Sequence, residues 1–135
     1  LRLFLEVGRR NWAHRTGCGK ALLAFLPPDQ LERILRGWKP EAETPHTITD
    51  VDVLRAHLAE ARDRGYATNR HESEIGVVSV AAPIRDASGR AVAAISVAGP
   101  AERLEPHELQ LAYVTMEVAA TISRRLGYRG AAGAA

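Results

Sequence analysis

Leu1, Leu3, Leu5 and Val7 alternate with Arg2, Phe4 and Glu6, which predicts a strand. Gly8 to Asn11 reads as a turn, and Trp12 to Arg15 as a second short strand. From about Cys18 to Leu26 the chain is apolar nearly all round after Lys20, the pattern of a buried helix. Pro27-Pro28 ends that helix and opens the next, because proline is tolerated in a first turn. Leu31, Ile34, Leu35 and Trp38 then fall at i, i+3, i+4 and i+7, one apolar stripe. Lys39 to Thr47 carries two prolines and no period, so it reads as a loop. Thr49 and Asp50 suit the cap of a third helix, with Asp52 placed as a capping-box partner. Leu54, Leu58 and Ala61 mark that helix's core face, and Gly65 its stop.

Tyr66 to Arg70 is a short strand candidate, and Gly76 to Arg85 and Ala91 to Gly99 are the clearest strands. Asp86 to Gly89 joins those two as a tight turn, so they form an antiparallel hairpin. Pro106 opens a last helix that runs to about Leu126, with Leu109, Ala112, Tyr113, Met116, Ala120 and Ser123 on its inner face. The resulting order, β-β-α-α-α-β-β-β-α, predicts one antiparallel sheet flanked by helices, an α+β fold. The tail from Arg129 to Ala135 has too few large side chains to pack and is expected to fray.

Composition narrows the class. The chain has 135 residues, 46% apolar and 25% charged, enough for one core in one domain. Eighteen basic residues against 16 acidic ones leave a net charge of +2, too balanced and too evenly spread for a nucleic-acid-binding face. No apolar run approaches the ~20 residues that cross a bilayer, and no signal peptide is visible, so no membrane partner is expected. The one cysteine, Cys18, makes no internal disulfide, which fits a reducing cytoplasm. The chain begins at Leu1 and reads as a piece of something longer.

Candidate chemistry begins with an oddity: the apolar helix opens on Gly17, Cys18 and Gly19, although glycine is about 1 kcal/mol worse than alanine in a helix. The first N–H groups of a helix lack intrahelical partners and carry the positive end of its dipole. Stunted side chains would bare them to a carboxylate or phosphate. One face of each clear strand is also small and weakly polar: Val77, Ser79, Ala81 and Pro83 on one, Val92, Ala94, Ser96 and Ala98 on the other. The room above them holds either a close-packed helix or a ligand that Ser79 and Ser96 orient. Two plainer roles stay open. Glycines near a helix start also serve as packing points, with Thr16 as N-cap, and serines are often satisfied by neighbouring backbone.

"HRTGCGKALLAF", "HESEIGVVSVAAPIRDASGRAVAAISVAGP" and "ISRRLGY" resemble the effector-binding domain of IclR-type bacterial transcription regulators over nearly the whole chain. Gly19, Lys20 and Ala21 match the family's Gly-Lys-Ala helix start. Glu72, Gly76, Ala82, Pro83 and Ile84 match its acidic stretch and Ala-Pro-Ile strand, and Ala94, Ile95, Ser96, Gly99 and Pro100 its Ala-Ile-Ser strand. The resemblance implies a GAF-like fold over residues 1–128 and a small carboxylate effector. It further implies a homodimer or homotetramer, and operator DNA bound through an N-terminal winged helix-turn-helix domain outside this chain. It places the effector on the amides of Gly17 and Cys18 and on Asn69, Ser79, Ser96 and Ala98. Asn69 stands where the family usually has aspartate, Ser79 where it has cysteine, and Ala98 where serine is frequent. Fewer fixed polar contacts and more space suggest an effector larger or less polar than a two-carbon acid, such as an aromatic acid.

Other readings compete for the same residues. Cys18 at a helix N-terminus, four residues after His14, would suit a redox sensor or thiol enzyme. No second cysteine could resolve an oxidised one, and no His-Asp partner is evident from spacing, so the chain is read as a sensor and not an enzyme. His14, Cys18, His71 and Glu72 match no standard zinc spacing, so no metal or cofactor is expected. A dimerisation module without a ligand is the third reading.

Overall fold

A computed structural model describes residues 6–130. The elements run α1 (Gly17–Ala24), α2 (Pro28–Leu35), α3 (Val51–Arg64), β1 (Ala67–Arg70), β2 (Val77–Arg85), β3 (Ala91–Pro100), α4 (Ala101–Leu104) and α5 (Glu108–Arg125). The three strands form one antiparallel sheet in the order β1-β2-β3, and helices cover both faces. This is the α+β, GAF-like class that the resemblance implies.

Local chemistry explains most boundaries. Asp50 caps α3 by accepting from the N–H groups of Asp52 and Val53, and Gly65 ends it at φ +90°, where a side chain would be strained. The β2–β3 turn holds Gly89 at φ +81°, and Asp86 Oδ1 accepts from the N–H groups of Ser88 and Arg90. Strand parity then divides the core. Ala67 and Ala81 face α1, α2 and α3, packing with Ala21, Leu54 and Leu58, while Val80, Ala82 and Ile84 face α5.

Three features depart from the periodic reading. Leu1–Leu5 of the first expected strand lie outside the described residues, and Glu6 and Val7 are not in a strand. Trp12 to Arg15 is no strand: Ala13–Arg15 form a 3-10 turn that buries His14 against the edge of Trp38, ring centroids 5.2 Å apart. The last helix starts later than Pro106, because α4 and a second 3-10 turn follow directly on β3. Its buried positions are Ala112, Thr115, Ala119 and Ser123, while Leu109 and Tyr113 are 63% and 67% exposed. The helix lies on the sheet through its small residues, so Leu109, Tyr113, Val114 and Val118 turn outward while Leu111, Met116 and Ile122 pack beside the contact. No helix among the described residues is long and apolar enough to cross a membrane.

Candidate functional site

The pairing register aligns three of the expected site residues. Asn69 on β1 lies opposite Ser79 on β2, which lies opposite Ala98 on β3. Two positions along β2, Ala67, Ala81 and Ser96 make a parallel row on the same face. The first turn of α1 sits directly above. A Cβ on Gly17 would come within 2.6 Å of Ser79 Oγ and 3.2 Å of Ala81 Cβ. Gly17, Cys18, Asn69, Ser79, Ser96 and Ala98 all line one cavity of about 550 Å³, within the range of small-molecule sites.

Packing is the first reason for the two glycines. Gly19 lies so close to the 3-10 turn that a Cβ would stand 2.4 Å from the backbone of Ala13. Thr16 caps α1, its hydroxyl accepting from Gly19 N–H at 3.2 Å and its carbonyl from Lys20 N–H at 3.0 Å. The N–H groups of Gly17 and Cys18 have no hydrogen-bond partner among the described residues. Close packing and an open amide pair are thus consequences of the same small side chains.

Ser79 is 6% exposed and its hydroxyl has no described partner. Asn69, 3% exposed, is more committed: Nδ2 donates to Ser73 Oγ at 2.8 Å and Oδ1 accepts from Glu72 N–H at 2.9 Å. Its amide retains one further proton to offer. Ser96 and Ala98 sit on the exposed edge strand at the cavity's rim.

The turn after β1 is pinned from below. Lys20, fully buried, donates from Nζ to both oxygens of Glu72 at 2.7 and 2.8 Å, and its third contact is His57 Nε2 at 3.1 Å. Burial lowers the Lys20 pKa below the ordinary lysine value, with the Glu72 carboxylate opposing. Glu72 also accepts from Arg70 N–H at 2.8 Å, and its carbonyl accepts from Thr47 Oγ1 at 2.6 Å. These bonds hold His71 at φ +60° and fix where Asn69 meets the cavity.

Sequence reasoning missed Arg15 and Glu43. Both line the cavity, and the Arg15 guanidinium, 18% exposed, is ion-paired with the Glu43 carboxylate, 54% exposed. A cation two residues ahead of an open helix start was a usable signal for Arg15. Glu43, in the loop 28 residues away, gave none.

The competing readings do not gather their residues. His14 Nε2 contacts the carbonyl of Glu41 at 3.3 Å and makes no described hydrogen bond with Cys18. His71 contacts Glu105 and the N–H of Gly76, and Glu72 holds Lys20. Among the described residues no three His, Cys, Asp or Glu side chains converge as metal ligands.

Comparison with known proteins places these features in a family. The family model described as the bacterial transcriptional regulator IclR C-terminal domain matches residues 1–124. The HTH-type transcriptional regulator BhcR of Paracoccus denitrificans is 39% identical over 134 residues, which cover 98% of this chain and 48% of that protein. The chain spans about half the length of the curated relatives it matches. The crystal structure of the Thermotoga maritima IclR superposes with a TM-score of 0.84 at 37% identity, over 94% of this chain and 53% of that one. The inducer-binding domain of a double mutant of PobR from Acinetobacter, in complex with 3-hydroxybenzoic acid, superposes with a TM-score of 0.79 at 28% identity, over 87% and 69%.

Proposed function

The chain belongs to the IclR family of bacterial transcription regulators by its C-terminal domain, and from that premise we propose that it senses a small organic acid in the cavity beneath α1. The family is one of transcription regulators and not of enzymes. The acid's carboxylate docks on the amides of Gly17 and Cys18, where the helix dipole favours negative charge, and Arg9 and Arg15 supply cations on the wall. Ser79 bonds a second polar atom, with Asn69 and Ser96 flanking it, while Leu22, Val77 and Ala98 give an apolar remainder room. That division suits an aromatic acid, the kind of molecule the PobR domain holds. Binding joins α1, the turn after β1 and the sheet, and so favours one packing of these elements over another. In the whole protein this biases a cytoplasmic homodimer or homotetramer whose N-terminal winged helix-turn-helix domains reach operator DNA.

The observation that carries the reading is the Ser79 hydroxyl: nearly buried, without a described partner, and opening on the same cavity as two free amides. Calorimetry with a panel of benzoates, 2-oxo acids and short hydroxy acids tests it. One class is expected to bind. Cys18→Phe, which fills the cavity, is expected to abolish binding with an unchanged circular dichroism spectrum. Ser79→Ala is expected to weaken it by roughly 3- to 10-fold, the worth of one hydrogen bond. Binding unaffected by Cys18→Phe, or a wild-type protein that takes no acid in the panel, overturns the proposal.

A further inference from the structure

We propose that a second anion site lies at the other end of β2, built around Arg85 and separate from the cavity beneath α1. The Arg85 guanidinium lies over two rings, its central carbon 4.7 Å from the centroid of Phe25 and 5.4 Å from that of Tyr128. Stacking holds a guanidinium by its faces and leaves its in-plane N–H donors unused. The Arg85 side chain makes no hydrogen bond or ion pair with any described residue. Its backbone N–H is occupied by Ser123 Oγ at 2.9 Å, which ties the strand end to α5.

A cavity of about 610 Å³ opens beside this stack. Arg124 and Arg129 line it together with Arg85, and no Asp or Glu does. Arg124 donates to Thr121 Oγ1 at 3.1 Å but has no acidic partner among the described residues. The remaining wall is apolar: Pro83, Ala82, Met116, Ala119 and Ala120. Three like charges around one hollow repel each other unless an anion sits among them.

Two observations sharpen the ligand class. The C-terminal end of α5 adjoins the cavity and carries the negative end of its dipole, which disfavours an anion. Its last carbonyls are already occupied, those of Ile122, Ser123 and Arg124 accepting from the N–H groups of Leu126, Tyr128 and Gly127. Three guanidiniums outweigh what is left. The contrast with the first cavity is one of charge: there Arg15 is tied to Glu43, here no arginine is neutralised. The fit is to a compact apolar body bearing one phosphate, sulfonate or carboxylate group.

Phenyl phosphate is the probe, with benzyl alcohol as its uncharged counterpart, and two-dimensional ¹H–¹⁵N NMR of the whole chain is the readout. Phenyl phosphate is expected to give saturable shifts at Phe25, Arg85, Ser123 and Tyr128, and benzyl alcohol none. Arg85→Gln and Arg124→Gln are each expected to weaken binding about tenfold, and Cys18→Phe, which blocks the first cavity, to leave it unchanged. Arg124 is exposed and its one described side-chain hydrogen bond is to Thr121, so its replacement keeps the test valid even if loss of the Arg85 stack disturbs the fold. Shifts that never saturate, that gather around Gly17 and Ser79 instead, or that survive Arg124→Gln at full affinity would show that the stack only anchors the C-terminal segment.

Discussion

A lysine with no exposed surface must place all three of its N–H donors, and Lys20 does so with the two oxygens of Glu72 and the ring of His57. An ammonium with three acceptors requires His57 to be neutral at Nε2. Burial, and next the adjacent Lys20 charge, hold the His57 pKa below its ordinary value, and burial does the same for His14. The sign of the linkage follows. As pH falls below about 6.5, the unfolded chain takes up protons at these positions that the folded chain refuses, so stability declines with acid until the lowered folded pKa is passed. Urea midpoints measured at pH 7.5 and 5.5 should fall on acidification, and His57→Gln should flatten that fall; an unchanged slope would show that His57 is not the linked group. Lys20→Met should cost about 3–5 kcal/mol, because it strands the Glu72 carboxylate in the interior, and equilibrium denaturation measures that directly. Little of this was legible beforehand. The Gly-Lys-Ala start and the acidic stretch both stood out, but nothing in one sequence says that positions 52 residues apart share a proton network.

The start of α1 shows what an element's small residues do. Thr16 as the cap and the open amides of Gly17 and Cys18 follow from the sequence, because a cap and a dipole are local properties. The 3-10 turn that presses on Gly19 was not legible, since four residues carry no distinguishing period and Trp12 to Arg15 read equally well as a strand. The inner face of α5 was legible in part: Ala112, Met116 and Ser123 pack inward as their spacing predicts, whereas Leu109, Tyr113 and Ala120 are exposed. Leu109 and Tyr113 have the right spacing, but the distance to Val80 and Ala82 on the sheet selects alanine and serine instead. The glycines of α1 give an ordered prediction. Gly17→Ala meets the Ser79 hydroxyl, which can turn away, and the Ala81 methyl at 3.2 Å, which needs a shift of only a few tenths of an ångström, whereas Gly19→Ala meets backbone at 2.4 Å, which cannot move aside so easily. Overpacking costs about 1–3 kcal/mol, so Gly19→Ala should lie at or above the top of that range and Gly17→Ala near its bottom. Chemical denaturation of the two variants decides it; equal losses would mean that the turn at Ala13 yields.

At the scale of the molecule, β2 connects two cavities that share no lining residue, one above its Val77–Ala81 half and one beside its Ala82–Arg85 half. The strand that borders both was legible, because the hairpin at Asp86–Gly89 and the alternation of β2 and β3 fix strand pairing and facing. The Arg85 stack was not, because Phe25, Arg85 and Tyr128 come from α1's end, β2 and the segment after α5, and only tertiary folding assembles them. Separate sites make a thermodynamic prediction. A ligand selective for the native state at 100 times its Kd adds about 2.7 kcal/mol of stability. Two such ligands add their contributions when their sites do not touch or share a two-state element. A benzoate that binds the first cavity and phenyl phosphate in the second should each raise the melting temperature by several degrees, and together by close to the sum. Scanning fluorimetry with each ligand alone and both at once measures this. A combined shift equal to the larger single shift means that both occupy one cavity. A shift well above the sum means that β2 transmits strain between them, and the domain then has two coupled ligand sites.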